Sequence, residues 1–476
     1  MGRTGRNIRN KTSYGKRKKF SGKILIMAAA AVFVSAVVIL IMFFFGGLPE
    51  NSKEKSAKTS SVYEQEKTKG EISQVIISLG ENPGDMIISW KGSKQNGSIF
   101  RISDDKDKLS LESETIKAEK HKVLKGKYYR YAVRIKNLKQ GEKYFYEIGD
   151  ESAFVYSDSF TVPDAGGETK FLYLGDVQFE NSVDEYTSWG SMVEKIYSQN
   201  PDIDFAVIGG DMVNVPTDEK QWESFLDSCK VFSKLPLMTV SGNHEGVSSN
   251  KTYKGLFSMP ENGPEPVYSN SGSDEQPESV NEELNNEFYY FDYGKCRFIM
   301  MDSSFLTEER KQKLGQGMWS IMEKSVENWL KKITSDNKKT WTVAVIHHPV
   351  YGFHDKDTVS PNIRKLWEPV LKEGGVDMVF CGHQHMYMRT RDIDGIVYVM
   401  GNSGNRKSEY YNGYNSPSYS RAVYGEGPNY QIVTVKSSKL EMVSYDEKGL
   451  VIDETIINKG LWFHILELFS SYKIVV

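Results

Sequence analysis

Apolar and polar positions alternate in short runs between residues 72 and 163. "SQVIISLG" (73–80) and "DMIISWKG" (85–92) flank the turn-rich "ENPG", and "YYRYAVRIKNL" (128–138) precedes "GEKYFYEIG" (141–149) across a second turn. A period of two broken by Gly, Pro and Asn predicts half-buried strands. No convincing helical period intervenes, so 72–163 is predicted to be a β-sandwich. Trp90 and the tyrosines Tyr128, Tyr129, Tyr131, Tyr144 and Tyr146 read as core and cross-strand packing, because aromatics favour strands.

From about Lys170 the pattern changes. The apolar runs "KFLYLG", "DFAVIG", "LPLMTV", "RFIMMD", "WTVAVI", "VDMVFC" and "IVYVMG" predict buried strands, and "VDEYTSWGSMVEKIYSQ" and "MWSIMEKSVENWLKKI" predict helices between them. Strands alternating with helices predict an α/β domain, taken here as 168–457. The polar stretch 247–287, acidic near its end, predicts a surface insertion.

The ends of the chain differ from both patterns. Ile24–Phe45, "ILIMAAAAVFVSAVVILIMFFF", has no charge and a single serine. At about 1.5 Å per residue this run is long enough for a bilayer core of roughly 30 Å. The following "FFFGGLPE" is a poor cleavage site, so an uncleaved transmembrane helix is predicted over 24–45. Residues 1–23 carry nine basic side chains and no acidic one. The net charge of −3 therefore hides a balance of −12 over the remainder. Such an arm is expected to stay cytoplasmic, leaving the rest of the chain extracytoplasmic, in a single-pass cell-membrane protein. No nucleic-acid partner is expected. Residues 46–71, rich in Lys, Ser, Glu and Thr, predict a flexible linker. The apolar tail 458–476 is too short to span a bilayer as a helix. Three cysteines (Cys229, Cys296, Cys381) make no disulfide framework and read as small buried residues.

Several predicted strands end in polar residues of metal-ligand type. These are Asp176 and Gln178, Asp211, then Asn243 with His244 and Glu245, then His347 and His348, and finally His383 and His385. In α/β sheets ligands bind beyond the carboxyl ends of strands. Six of the eight histidines, His354 included, fall in or beside these ends. Packing does not account for that repetition, because buried ionisable groups are costly unless paired or metal-bound. Carboxylate, amide oxygen and imidazole suit Mn, Zn or Fe. The donors exceed what one tetrahedral ion takes, which points to two ions sharing a carboxylate. Such a pair can generate a hydroxide and stabilise both oxygens of a phosphoryl displacement.

The order GD…GD…GNHE…H…GHxH resembles the calcineurin-like metallophosphoesterases. With a β-sandwich ahead of it, the chain is most similar to their purple acid phosphatase branch, from about Ile72 to Tyr445. The resemblance implies an α+β multi-domain fold: a fibronectin III-like sandwich, then an α/β domain of two packed β-sheets flanked by helices. It implies one metal on Asp176, Asp211 and His385, and a second on Asp211, Asn243, His347 and His383, with Asp211 bridging. His347 rather than His348 takes the first place of the family's His-x-Pro pattern. His244 resembles the family's general acid or leaving-group stabiliser. His354 is expected to contact substrate phosphate, Arg389 to bind substrate or support the metal shell, Tyr387 to pack locally rather than support that shell, and Glu245 to orient a neighbour.

Two positions depart from the family pattern. Asn214 stands where purple acid phosphatases have a tyrosine, and Gln178 stands where other members have a histidine. Gln178 and Asn214 are thus either amide-oxygen ligands or hydrogen-bonding neighbours. Without that tyrosine no tyrosinate–Fe(III) band is expected. The function these features imply is membrane-anchored, extracytoplasmic, dinuclear-metal hydrolysis of phosphate esters. The alternatives are a phosphodiesterase or nucleotidase, or a non-catalytic surface binding protein.

Overall fold

The computed structural model describes residues 72–459, except 94–95, 112, 124–127, 181–182, 247–250, 266–283 and 285. The basic arm, the apolar segment 24–45, the linker 46–71, the tail from 460 and the acidic part of the insertion lie outside the described residues. Among the described residues no helix is long and apolar enough to cross a membrane.

The first domain is a sandwich of two antiparallel sheets. One runs in the order β1 (Ser73–Leu79), β2 (Met86–Gly92), β6 (Tyr128–Ile135), β5 (Glu119–Val123). The other runs β4 (Ile116–Lys117), β3 (Ile99–Ser103), β7 (Lys143–Gly149), β8 (Phe154–Thr161). Trp90 of β2 stacks on Phe100 of β3 at 5.8 Å, and Phe100 on Tyr146 of β7 at 5.4 Å. Aromatic packing across the two sheets therefore fills this core, and Tyr131 and Tyr146 are fully buried in it. Hydrogen bonds from Arg134 to the Met259 carbonyl (2.8 Å) and from Gln74 to Asp227 (2.8 Å) join the sandwich to the second domain.

Two sheets packed face to face form the second domain. The six-stranded sheet has the order β11 (Leu237–Thr239), β10 (Phe205–Ile208), β9 (Thr169–Leu174), β19 (Asn429–Val435), β20 (Lys439–Asp446), β21 (Val451–Asn458). The seven-stranded sheet has the order β12 (Phe288–Tyr293), β13 (Cys296–Met301), β14 (Trp341–Ile346), β15 (Met378–Cys381), β17 (Val397–Met400), β16 (Tyr387–Thr390), β18 (Ser420–Tyr424). Phe171 and Phe205 of the first sheet meet Phe298 of the second edge-on, each at 5.2 Å. Phe298 and Met300 face this seam, whereas Ile299 and Met301 face the helix Gln316–Ser335 through Val326 and Leu330. Burial on both faces explains why β13 reads as a continuous apolar run.

The helix Val183–Gln199 buries Tyr186, Trp189, Gly190, Val193 and Ile196, a stripe with helical spacing, and carries Asp184 and Glu185 in its first turn. The expected surface insertion at 247–287 needs correction. Its described part includes a helix, Lys251–Leu256, and Tyr253, Leu256, Phe257 and Met259 are buried in the core. The polar average of the segment concealed this apolar cluster.

Strands β9, β10 and β11 are parallel, as are β13, β14, β15 and β17. The carboxyl ends of β9, β10, β11, β14 and β15 are followed directly by the polar residues singled out above, and these meet at one rim.

Candidate metal centre

The turns at this rim are tightly built. Asp211, His383 and His385 have positive φ (51°, 75° and 52°), a conformation costing non-glycine residues roughly 1–3 kcal/mol and concentrated at functional sites. Gly210, at φ +97°, cannot be replaced: a Cβ there would lie 2.6 Å from His347 Nδ1. A Cβ on Gly242 would collide with the Asp211 carboxylate, and one on Gly382 with that of Asp176.

Asp211, Asn243, His347 and His383 form one group. His347 Nδ1 donates to the Gly209 carbonyl at 2.9 Å, which turns Nε2 toward Asp211 Oδ2 at 3.1 Å and Asn243 Oδ1 at 3.0 Å. His383 Nδ1 lies 2.8 Å from the same Asn243 oxygen. Acceptor atoms converging in this way repel one another unless a cation, or failing that a proton, sits among them. The donor set therefore fits a divalent metal. The charges agree. Burial opposes a charge on His347, yet Asp211 and Asp176 outweigh it and hold the ring up at about 10. Burial and the neighbouring His347 push His383 down to about 4, keeping its ring neutral.

Asp176 and His385 lie beside this group. The Asp176 carboxylate accepts from the His383 backbone N–H at 2.8 and 2.9 Å, and its Oδ1 is 4.0 Å from His385 Nε2. Burial and the nearby Asp211 raise Asp176 to about 7, so a cation is the natural partner for this carboxylate. Burial lowers His385 to about 3, which leaves a neutral nitrogen. Gln178 Oε1 faces that nitrogen at 3.0 Å, whereas Asn214 Oδ1 accepts from Gln178 Nε2 at 3.0 Å and Arg406 at 3.3 Å. Of the two amides, the structure brings Gln178 to the donor group and holds Asn214 behind it.

His244 and Glu245 have separate tasks. His244 Nδ1 donates to the Asn214 carbonyl at 2.6 Å, and its Nε2 accepts from Gln178 at 2.6 Å. It must gain a proton at Nε2 before it can act as an acid. Glu245 is buried and accepts four backbone N–H groups, those of Asp211, Met212, Val213 and Gly242, at 2.8 to 3.1 Å. It binds no donor group of the site; it clamps the two turns that present Asp211 and Asn243.

Other candidates fall elsewhere. The expectation that Arg389 binds substrate is corrected. Its guanidinium is held by Asp453 of β21 (3.0 Å to Oδ1), and Tyr387 donates to the same carboxylate at 2.6 Å, so both brace the sheet. The His354 ring packs on Tyr410 with centroids 4.1 Å apart, and burial lowers its basicity, an arrangement suited to a neutral ring rather than a phosphate cation. His348 is turned toward Ser303, whose hydroxyl lies 2.8 Å from its Nδ1. Sequence reading missed Asp357. Its Oδ2 is 3.8 Å from His383 Nε2, and the Val359 N–H (2.8 Å) and the Ser360 hydroxyl (3.0 Å) hold it in place. Asp357 lies in a loop without regular pattern, so only its proximity to the histidines in the sequence hinted at this role. All three cysteines are buried and free, as expected.

The two-sheet α/β domain thus places carboxylate, amide and imidazole donors together at facing strand ends. Residues 169–387 match the calcineurin-like phosphoesterase family, and residues 72–162 match the purple acid phosphatase N-terminal domain. The chain thus carries the domain pair of the purple acid phosphatase branch. It is 28% identical over 292 residues to probable purple acid phosphatase 20 of Arabidopsis thaliana, a match covering 56% of this chain and 59% of that one. With Arabidopsis purple acid phosphatase 15 the identity is 30% over 205 residues, 39% of this chain and 32% of the relative. The chain therefore spans less than two thirds of the length of these relatives. The yellow lupin (Lupinus luteus) purple acid phosphatase PPD1 has a similar fold: TM-score 0.58 at 15% identity, covering 83% of this chain and 75% of that one.

Proposed function

We propose that this chain hydrolyses phosphate esters at a dinuclear centre of divalent or mixed-valence Mn, Zn or Fe. The observation that carries the reading is the convergence of Asp176, Asp211, Asn243, His347, His383 and His385 from five strand ends, with acceptor atoms facing one another. Bound there, two metals would supply an activated water and positive charge for the phosphoryl oxygens. The chain's own residues do the positioning. Gly209 fixes the His347 tautomer, Glu245 fixes the Asp211 turn, and His244 stands beside Gln178 to meet the leaving oxygen. The relatives are named acid phosphatases, which favours monoesters over diesters.

The test is a paired assay of 4-nitrophenyl phosphate and bis(4-nitrophenyl) phosphate with each metal. Turnover of the monoester is expected to exceed that of the diester. Folded, metal-loaded protein inert to both would overturn the reading. We further propose extracytoplasmic placement through a membrane helix at 24–45, supported by its length and the basic arm before it. Release of the protein from membranes by carbonate washing would contradict that placement.

A further inference from the structure

We propose that the rim beside the GHQH turn is a leaving-group subsite for a flat aromatic ring, built from His354, Tyr410 and Tyr414 with the Lys356 ammonium over the two tyrosine rings. The proposal rests on the phosphoesterase reading and names the substrate class that reading leaves open. Tyr410 is the centre of the group. Its ring centroid is 4.1 Å from that of His354 and 5.4 Å from that of Tyr414, and Lys356 Nζ lies 4.3 Å above it. Tyr414 is exposed and Tyr410 and His354 are half-buried, so ring surface remains open to solvent.

The group is tied to the backbone of the metal-ligand turn from two sides. Gln384, between His383 and His385, accepts the Phe353 N–H at 2.7 Å and the His354 N–H at 3.4 Å, and donates to the His354 carbonyl at 3.3 Å. The Ser408 N–H, two residues before Tyr410, donates to the His385 carbonyl at 3.1 Å. Behind it, Phe353 packs with Cys381, Met386, Met388 and Met400, and Tyr410 and Tyr411 lie against them, so the wall has a firm backing. A phosphoryl group held at the donor cluster must project its ester substituent away from the metals, and this wall is the aromatic surface fastened to that turn. Tilted rings pair favourably with a further ring, and the Lys356 ammonium over Tyr410 (4.3 Å) and Tyr414 (5.4 Å) suits a substituent that bears negative charge. An aryl group and a nucleobase share this chemistry.

The experiment measures kcat/KM for 4-nitrophenyl phosphate, adenosine 5′-monophosphate and glycerol phosphate with the metal-loaded full chain and its Tyr410→Leu and Tyr414→Leu variants. Loss of one ring contact is expected to lower kcat/KM about three- to tenfold on the aromatic substrates, mainly through KM, with glycerol phosphate unchanged. A fall on only one of the aromatic substrates supports the subsite and identifies its source. An equal fall on all three, or none, overturns it. Asp211→Asn tests the phosphoesterase reading separately, since it should silence all three substrates. Calorimetric binding of phenylphosphonate against ethylphosphonate probes the wall without turnover, and equal affinities would overturn the subsite.

Discussion

Glu245→Gln tests whether the metal-ligand turns are held by one buried carboxylate. Glu245 Oε1 accepts the N–H groups of Met212 (2.8 Å) and Val213 (3.1 Å), and Oε2 those of Asp211 (2.9 Å) and Gly242 (2.9 Å). Glutamine keeps one acceptor oxygen. Its NH2 replaces the other and points hydrogens at two backbone donors. Each buried donor left without an acceptor costs about 1–3 kcal/mol, so the two together cost about 2–6 kcal/mol. That is a large share of a domain stability of about 5–15 kcal/mol. Burial and the adjacent Asp211 push the Glu245 acid upward, while the N–H groups pull it down. With donors on both oxygens a proton has no acceptor to reach, so the carboxylate is the form that fits. Urea unfolding followed by tryptophan fluorescence measures the cost, and metal titration reads the displacement of Asp211. A variant with unchanged midpoint and unchanged metal affinity would show that Glu245 is protonated in the native protein and that the clamp argument is wrong.

Three further outcomes are expected. Asp357→Ala should weaken metal binding about tenfold, since its carboxylate, 3.8 Å from His383 Nε2, favours a cation beside that ring; unchanged affinity by calorimetry would remove Asp357 from the centre. Arg389→Ala leaves the Asp453 carboxylate with only the Tyr387 hydroxyl in a nearly buried place and should destabilise by about 3–5 kcal/mol with KM unaltered. A raised KM at unchanged stability would restore the substrate-binding role. Iron-loaded protein should lack an intense visible band and Asn214→Tyr should acquire one. Of the nearby phenols, Tyr173 donates to the Cys381 carbonyl (2.8 Å) and Tyr186 to that of Met212 (3.1 Å), and burial raises both far from ionisation.

Most of this architecture was legible where one physical signal dominated. The helix at Val183–Gln199 and the seven apolar runs of the second domain appear where their periodicity puts them, because burial on one stripe or on both faces leaves a clean pattern. Strands β20 and β21 went unread: β20 alternates buried and half-buried positions and β21 has only half-buried and exposed ones, so neither forms an apolar run. The core residues at 253–259 were hidden by polar neighbours. Ligand candidates were legible because strand ends concentrate them. Their partners were not, since Asp357 with His383, Asp453 with Arg389 and Glu245 with Asp211 are pairings that only the folded chain sets. Arg389 illustrates the hazard: nearness to GHQH in the sequence suggested a substrate role, while alternation along β16 turned its side chain to the neighbouring sheet.

The most direct test of the dinuclear centre is metal content per chain, read by atomic emission on the same samples assayed with 4-nitrophenyl phosphate. Two metals per chain with turnover are expected for the native protein. Asp211→Asn should remain folded, lose at least one metal and lose turnover by more than about a thousandfold, as for removal of a group acting directly on the reacting charge. Native protein that is folded and active with no bound metal, or Asp211→Asn that keeps both metals and full turnover, would contradict the account.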